Sequence, residues 1–480
     1  ARSSVAPAAA AGAAAAANAA SGAAAAAAPS GSSTPAGGGS SGSTGGGGGG
    51  SSTPIHTPPK LPAIHHVWLV VLADQAFHSL YGPGSPAHFL NQALVPQGTL
   101  LRRYYATAHG SLADGVALIS GQGPTPELQL GCPVFSNLTP GTTDNSGIAR
   151  GRGCLFPWNP QTFVGVQTLP DLLTEYHLNW KAYVGGQGAV TPPAAPPTGT
   201  TTGSGLTLPG GITLPIGSPT TTSTAATPAP APSATPSTCR HPQLGAADPT
   251  AGADTSADGY LTRRNPFVYF HSLIDSTSCA QLDLGLDSLA SDLVKGSVPS
   301  FSWIAPDLCS AGAADGCPAG TAVTGAAAAD AFLSRWIPKI MATSAYRKDG
   351  MIVILSDQAP SSGPAADSSA CCQNLHYPNS TNPGGSARPG AGGGLTGALV
   401  LSRFAAKGGS DTTPSDHYTL LRTIEDIFKI TPPLGYALRR QDFTASVFPK
   451  ESGGSSAVTT SVHHPRRIAI LIRRRSAPHR

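Results

Sequence analysis

The stretch that decides the fold is Val67–Leu72, with the sequence VWLVVL, followed directly by Ala73 and Asp74. Six apolar residues without alternation indicate a strand that is buried on both faces, as in the middle of a parallel sheet covered by helices. An acid directly after such a strand lies at its carboxyl end, where open α/β sheets bind their ligands. The stretch therefore predicts an α/β protein with a functional site at this edge of the sheet.

Two later segments have the same form: an apolar run at 301–305 precedes Asp307, and another at 351–356 precedes Asp357. Segments with helical periodicity lie between the apolar runs, for example at 326–346. This alternation predicts a three-layer α/β/α sandwich with a largely parallel central sheet. Taken singly, each Asp fits a surface loop or a helix cap. Convergence of three carboxylates on one edge would need a divalent metal ion, because the charges otherwise repel each other.

The segment 104–121 provides a hydroxyl and an imidazole just before a predicted helix, whose N-terminus favours an anion. Ser111 fits a nucleophile, but it also fits the N-cap of this helix, a role that Ser favours in any protein. Thr107 is a weaker candidate for the nucleophile. His109 fits a hydrogen-bond donor to a bound anion and, equally, a polar residue of the approach loop.

These segments resemble the bacterial phosphoesterase family of phospholipases C and acid phosphatases, a branch of the alkaline-phosphatase superfamily. The family has His-Val-Val-Val-Ile-Met-Glu-Asn-x-Ser-Phe at its first strand, which is similar to residues 66–77. It has Tyr-Tyr-x-x-x-His-x-Ser-Leu-x-Asn-Tyr before a helix, which is similar to the segment that begins at Tyr104. Further matches include RRNPFVYF at 263–270 and HYTLLRTIED at 417–426, and they continue to about Phe448.

The resemblance implies an alkaline-phosphatase-like fold, hydrolysis of phosphoric esters and a divalent metal ion as cofactor. By position, Ser111 would be the nucleophile that the metal ion activates, and His109 would donate to a phosphate oxygen. The implied metal ligands are Asp74, Asp307, Asp357 and His417. A lone His at a helix start, such as His417, is also often a structural residue.

Several positions depart from the family pattern. Ala73 and Asp74 replace Glu-Asn, Asp114 replaces Asn, Arg264 replaces His, Gln358 replaces an acid, and Ala311 and Ala313 stand at about the places of a later Asp and His. Asp114 would repel a phosphate unless it holds metal. The resemblance therefore implies a phosphoric-ester hydrolase, of acid phosphatase or phospholipase C type, with reduced activity. The alternative is a catalytically silent, exported homologue that acts as a binding or surface protein.

Composition predicts how the chain is divided. Of 480 residues, 58 are Gly and 46 are Pro, and only 11% are charged, so part of the chain should not be compact. We expect a disordered Ala/Gly/Ser-rich stalk at 1–57 and a phosphoesterase domain at 58–449. A disordered Pro/Thr/Ser-rich insertion is expected at about 187–237, and a disordered basic tail at 450–480.

The eight cysteines show no zinc-finger spacing, so they favour disulfides and an oxidising compartment over free thiols in the cytosol. Three pairs flank loops, and we predict the disulfides Cys132–Cys154, Cys239–Cys279 and Cys309–Cys317. The adjacent Cys371 and Cys372 leave their pairing open. We expect a secreted or extracytoplasmic protein, although no signal peptide is visible in a sequence that starts at Ala1.

The expected partner is a phosphate ester, and its alcohol could be a lipid headgroup, a nucleotide or a sugar. A net charge of +4 and a tail with few aromatic residues argue against nucleic acid. No apolar run approaches the roughly 18 residues of a transmembrane helix without Gly or Ser breaks. The basic tail predicts at most a weak contact with anionic surfaces, and a solvated tail without a role fits it better.

Overall fold

The structure is a computed structural model that describes residues 61–162, 164–188, 238–251, 259–313, 323–372, 375–385, 388–443 and 445–449. The predicted stalk at 1–57, nearly all of the predicted insertion and the predicted tail lie outside the described residues.

The described chain contains fourteen strands and eleven α-helices. They are β1 His66–Leu72, α1 Phe77–Leu80, β2 Thr99–Leu101, β3 Tyr104–Tyr105, α2 Ser111–Ser120, α3 Pro126–Gln129, β4 Thr139–Thr143, β5 Ala149–Arg152, β6 Trp158–Asn159, β7 Val164–Gly165, α4 Leu169–Glu175, β8 Trp180–Val184, α5 His271–Ile274, α6 Thr277–Leu282, β9 Asp283–Gly285, α7 Leu286–Lys295, β10 Phe301–Ala305, α8 Leu308–Ala311, α9 Gly325–Met341, α10 Ser344–Asp349, β11 Gly350–Ser356, β12 Ala398–Ser402, β13 Gly409–Asp411, β14 Ser415–Asp416 and α11 His417–Phe428.

Eight strands form the central sheet in the order β13-β2-β12-β11-β1-β10-β8-β9. The five strands from β11 to β9 are parallel, and β12 runs antiparallel to both β11 and β2. The predicted α/β architecture with a largely parallel sheet is thereby confirmed. β1 lies inside the parallel part, paired with β11 on one side and β10 on the other.

Alternate side chains of β1 enter two different hydrophobic cores. Val67, Leu69 and Val71 pack in the core that contains the apolar faces of α2, α4 and α11. Trp68 and Val70 pack in the second core, with residues of α7, α9 and α10. Because helices cover both faces of the sheet, both sets of side chains must be apolar, which explains the unbroken apolar run.

The parallel strands β11, β1 and β10 end at one edge of the sheet, so Asp357, Asp74 and Asp307 all follow at that edge. α2 begins near the same edge with Ser111, whose hydroxyl reaches Asp357. The topology therefore assembles the sequence-predicted residues from segments that lie far apart in the chain.

Two of the predicted disulfides are present, Cys132–Cys154 with a Cα separation of 5.9 Å and Cys239–Cys279 with 5.4 Å. The third prediction involves Cys317, which lies outside the described residues. The open question of the adjacent pair is answered, since Cys371 and Cys372 are bonded to each other. No described helix is both long and apolar enough to cross a membrane.

Candidate active site

The carboxylate of Asp357 is the centre of the site. Its Oδ1 accepts the backbone N–H of Asp74 at 3.0 Å and of Gln358 at 2.7 Å. Its Oδ2 accepts from Nη1 of Arg264 at 3.3 Å, and the nearby Ser111 hydroxyl lowers the pKa of this carboxyl group. One side chain thus connects the ends of β1 and β11 with the start of α2.

Asp74 reaches this centre through a sharp turn. Its φ of 52° lies in the left-handed region, which Asp and Asn tolerate better than most residues. The next residue, Gln75, donates its N–H to the hydroxyl of Ser356 at 2.9 Å, which ties the turn to the end of β11. The chain therefore turns at Asp74 and brings its backbone N–H to the carboxylate of Asp357.

The pKa values of Asp74 and Asp357 are both raised in the folded protein. Burial raises the pKa of Asp357, while Arg264 and the hydrogen bond from Ser111 oppose the rise. Burial, together with the charge of Asp357, raises the pKa of Asp74 to about 7, against the effects of Gln358 and Arg264. Asp74 therefore holds a proton close to neutral pH.

Gln358 acts as a bridge across the site. Its Nε2 donates to Oδ1 of Asp74 at 2.5 Å, and its Oε1 accepts the N–H of Gly110 at 2.6 Å. An ionised Glu in this position could not donate to Asp74 and would repel it. The amide is therefore suited to this arrangement of groups.

Ser111 is the first residue of α2, and the N-cap is Gly110, with a φ of 117°. A Cβ on Gly110 would lie 2.7 Å from the backbone of Gln129, so this turn requires glycine. Ser111 is therefore not the N-cap of its helix. Its side chain is half-buried, and its hydroxyl lowers the pKa of the neighbouring Asp357 carboxyl group.

Asp114, in the first turn of α2, is fully buried and faces the preceding loop. Its Oδ1 accepts from the N–H and the hydroxyl of Thr107, at 2.9 and 2.7 Å, and from the N–H of Ala108 at 3.1 Å. Its Oδ2 has no hydrogen-bond partner among the described residues. Since the Thr107 hydroxyl donates to Asp114, Asp114 positions the loop that precedes α2.

His417, at the start of α11, is completely buried and both of its ring nitrogens are occupied. Nδ1 lies 2.8 Å from the Tyr104 hydroxyl, and Nε2 lies 2.8 Å from the Asp357 carbonyl oxygen and 3.3 Å from Oδ1 of Asp114. Burial opposes protonation of the ring, but the hydrogen bond and charge of Asp114 raise the pKa of His417 above its usual value. His417 is therefore an ion-pair partner of Asp114.

His109 also has two partners within the site. Nδ1 lies 3.2 Å from Oε1 of Gln358, and Nε2 lies 3.0 Å from the hydroxyl of Ser368. Because the amide oxygen can only accept, Nδ1 carries the proton, and Nε2 of the neutral ring accepts from Ser368. To donate to a bound phosphate, His109 would have to exchange one of these contacts.

Arg264 fills the interior side of the site. It ends a 3-10 turn at Thr262–Arg264, and its side chain is only 4% exposed. Besides its contact with Asp357, its Nη2 donates to the carbonyl oxygen of Val71 at 2.9 Å. The guanidinium is therefore held by both central strands, through the end of β1 and the residue that follows β11.

Asp307 lies at the same edge but has a different set of contacts. Its Oδ1 accepts the N–H of Ser310 at 3.1 Å and so caps α8. Beside it, a small buried apolar cluster contains Ala73, Ala311 and Ala313 together with Leu261 and Leu308. In the described structure, Asp307 makes no hydrogen bond to Asp74, Asp357 or His417.

The described residues do not fit the predicted four-ligand metal centre. Metal-ligand groups come within 4.8 Å of one another, as sets of three, at two other places: Cys239, Cys279 and Asp283, and Cys371, Cys372 and Asp416. Both sets contain cysteines that are joined in disulfides. At the sheet edge, Asp74 and Asp357 are neighbours, whereas His417 has no free nitrogen and Asp307 caps a helix.

Sequence reasoning missed two groups that the structure adds to the site, Tyr104 and Ser368. Tyr104 is the first residue of the segment that is similar to Tyr-Tyr-x-x-x-His-x-Ser, but nothing in that pattern indicated a contact with His417. Ser368 lies in a loop without periodicity, and no sequence signal pointed to it.

Comparison with known proteins gives one family. The sequence model of the Phosphoesterase family matches residues 67–431, which is 365 of the 480 residues. No curated protein matches the chain in sequence. All the sequence-predicted site residues lie within the matched range.

Solved structures of similar fold have low sequence identity. A protein in the alkaline phosphatase superfamily from Vibrio parahaemolyticus is 12% identical, with 77% of this chain and 68% of that chain covered and a TM-score of 0.37. The sulfatase PsFucS1 from Pseudoalteromonas sp. is 10% identical, with 77% and 68% covered and a TM-score of 0.37. The protein Ps i-CgsB is 14% identical, with 81% and 76% covered and a TM-score of 0.39.

Proposed function

Because the chain belongs to the phosphoesterase family, whose members hydrolyse phosphoric esters, we propose that it is a slow phosphoric-ester hydrolase with Ser111 as its nucleophile. One observation carries the proposal: the Ser111 hydroxyl, at the first position of α2, lies close enough to the buried carboxylate of Asp357 to lower the pKa of that group. A nucleophilic hydroxyl next to a base is the arrangement that covalent phosphoryl transfer needs.

In the first step, Oγ of Ser111 attacks phosphorus and its proton passes to the Asp357 carboxylate. The bond between phosphorus and the ester oxygen breaks, and the departing alcohol takes a proton from the carboxyl pair. Asp74 suits this exchange, since its pKa of about 7 lets it hold and release a proton near neutral pH. Water then attacks the phosphorus of the phosphoserine and gives a proton to the carboxyl pair. The bond between phosphorus and Oγ breaks, phosphate (or its remaining monoester) leaves, and Oγ of Ser111 takes a proton back from the pair.

Charges in the site both help and oppose this reaction. The N–H groups at the start of α2, a helix of ten residues, favour the phosphate. The cationic side chain of Arg264 offsets Asp357, and Asp114 is offset by His417. Asp74 remains an additional negative group when it ionises, and like charges near a reacting phosphate raise the barrier. For this reason we propose slow turnover. No step passes through a divalent metal ion, because the donors of the site do not fit one.

The proposed substrate is a phosphate ester whose alcohol the site does not define. The two described disulfides between distant cysteines, Cys132–Cys154 and Cys239–Cys279, support an extracytoplasmic location.

A second candidate is a silent homologue that binds phosphate esters without cleaving them. The buried apolar cluster of Ala73, Ala311 and Ala313 favours it, because these residues stand at about the positions where the family resemblance implies polar ligands. In that case the start of α2 would still attract an anion, but the missing charge stabilisation would prevent hydrolysis.

Release of para-nitrophenol from its phosphate mono- and diesters tests the proposal. We expect measurable turnover by the wild-type protein and a loss of at least about two decades in Ser111→Ala. Ser334→Ala is the matched control, because Ser334 is exposed on α9 and should leave turnover unchanged. Equal turnover in Ser111→Ala would exclude Ser111 as the nucleophile. Phosphate binding by calorimetry without any turnover would establish the silent homologue.

A further inference from the structure

We infer that the guanidinium of Arg264 takes the place of a divalent cation in this site, so that the protein binds its phosphate ester as a metal-independent member of its family. This site is the one at which we propose hydrolysis, and the inference depends on that proposal only for the identity of the ligand, a phosphate ester. The replacement of metal by Arg264 stands on the contacts of the chain itself and does not require turnover.

The buried carboxylate of Asp357 needs a counter-charge. The Asp357 side chain is 2% exposed and that of Arg264 is 4% exposed, with 3.3 Å between Oδ2 and Nη1. A carboxylate buried to this degree must be paired, protonated or bound to metal. Arg264 supplies a permanent positive charge, because a guanidinium does not lose its proton in proteins. The charge that a metal ion would bring is therefore already present.

The side chain of Arg264 is also fixed in place. Its Nη2 donates to the carbonyl oxygen of Val71 at 2.9 Å, while its Nη1 contacts Asp357. These two contacts attach it to adjacent strands in the centre of the sheet. A metal ion that approached Oδ2 of Asp357 would have to displace the buried side chain of Arg264, which two hydrogen bonds hold in place.

Few side-chain donors remain near Asp357 in the described structure. Ala73, Ala311 and Ala313 are 1%, 0% and 3% exposed and offer no side-chain ligand. Both ring nitrogens of His417 already have partners. Nδ1 faces the Tyr104 hydroxyl, and Nε2 faces the Asp357 carbonyl oxygen and Oδ1 of Asp114. Among the described residues, the side-chain carboxylate donors that remain beside Asp357 are Asp74 and the unpartnered Oδ2 of Asp114, and Arg264 already occupies Oδ2 of Asp357.

One donor of the guanidinium is left over. Nε of Arg264 is buried and has no acceptor among the residues that the structure describes. Arginine binds phosphate oxygens well because its donors form a planar fork. In the complex that we infer, the N–H at Nε donates to an oxygen of the phosphate ester, and the contacts of Nη1 and Nη2 are kept. This is the group by which we expect an oxyanion to be bound.

Metal analysis of the full-length protein is the direct test. After purification without chelator, we expect no stoichiometric divalent ion by mass spectrometry. Treatment with EDTA, or addition of millimolar Mg²⁺, Ca²⁺ or Mn²⁺, should leave the Tm unchanged. Binding of inorganic phosphate, measured by calorimetry, should be the same with and without EDTA. A stoichiometric ion whose removal lowers the Tm would overturn the inference.

Substitutions at Arg264 give a second readout. In Arg264→His, the buried carboxylate loses its partner, and we expect the Tm to fall by about 5 °C. Added Mn²⁺ should then recover part of that loss, because the vacated position can accept a cation. Arg264→Lys keeps the positive charge, and its Tm should not respond to Mn²⁺. Arg347→His is the matched control, because Arg347 is exposed on α10 and the chemical change is the same.

The outcomes separate this inference from the proposed hydrolysis. Absence of turnover in a metal-free protein that still binds phosphate would contradict the hydrolase proposal and leave the role of Arg264 intact. Turnover or phosphate binding that appears only after addition of a divalent ion would refute the role of Arg264. If Arg264→His does not fold, the metal content and the EDTA response of the wild type still decide.

Discussion

Replacing Asp74 with Asn should stabilise the protein above neutral pH and leave its stability unchanged in acid. The substitution removes the carboxylate whose pKa burial and Asp357 raise to about 7. Asn keeps an oxygen that can accept from Nε2 of Gln358, and it tolerates the left-handed backbone at this position. The change therefore removes the charge with little change in shape.

The sign follows from the direction of the pKa change. Below the ordinary Asp value of 3.8, Asp74 is protonated in the folded and the unfolded state, so it has no effect on stability. As the pH rises towards 7, the unfolded chain gives up its proton more readily than the folded protein, and the wild type loses stability. Above about pH 7 the loss is complete. Asp74→Asn avoids it over the whole range.

The magnitude has an upper limit. The separation between 3.8 and about 7 corresponds to at most about 4 kcal/mol. Asp74 keeps part of its surface exposed, so water screens its charge, and we expect about half of that value. For a domain of this size the gain is roughly 3 °C in Tm.

Differential scanning calorimetry at about pH 4.5 and about pH 8.5 measures this difference. Asp287→Asn is the matched control, because Asp287 is exposed on α7 and the chemical change is the same. A Tm difference that is equal at both pH values would show that Asp74 does not titrate in this way. A lower Tm of Asp74→Asn at high pH would show that the ionised carboxylate is stabilising, as it would be beside a bound cation, and would refute the reasoning.

Two further predictions concern stability away from the site. Glu425 is fully buried, and burial raises its pKa to about 8, with Oε1 accepting the N–H of Leu434 at 2.9 Å. The folded protein holds this proton more tightly than the unfolded chain, so the stability of the wild type falls as the pH rises towards 8. At that pH, Glu425→Gln should be more stable than the wild type by about 3 kcal/mol. In acid, the two proteins should not differ in stability. Thermal unfolding at both pH values measures this, and an equal difference at both would contradict it. Replacing both Cys132 and Cys154 with Ala opens a loop of 22 residues and should cost about 3 kcal/mol, seen as a lower denaturation midpoint. An unchanged midpoint would show that the disulfide adds no stability.

The candidate site was predictable to the extent that it depends on where strands end. The positions of Asp74, Asp307 and Asp357 followed from three apolar runs, because a strand that is buried on both faces can be recognised from local sequence. Their position at one edge followed from parallel pairing, which alternating strands and helices favour. What each carboxylate contacts there did not follow.

Contacts between segments far apart in sequence changed the chemistry of these acids. Arg264 reaches Asp357 across 93 residues and Val71 across 193 residues, and nothing local indicates that it turns inward. Asp307 looks like Asp74 and Asp357 in sequence, yet it caps its own helix. Gln358 resembles a lost ligand in sequence, but in the structure it joins Asp74 to the turn before α2.

The sequence by itself determined the layered α/β architecture, the edge of the sheet on which the site lies and the position of Ser111 near the start of a helix. These depend on the pattern of apolar residues within single segments, which the hydrophobic effect and backbone geometry translate directly into buried strands and helices. Only the tertiary structure decided that Arg264 is the counter-charge of Asp357 and that both nitrogens of His417 are occupied. Charge pairing and proton affinity depend on distances and burial between remote segments, and those exist only once the chain has folded.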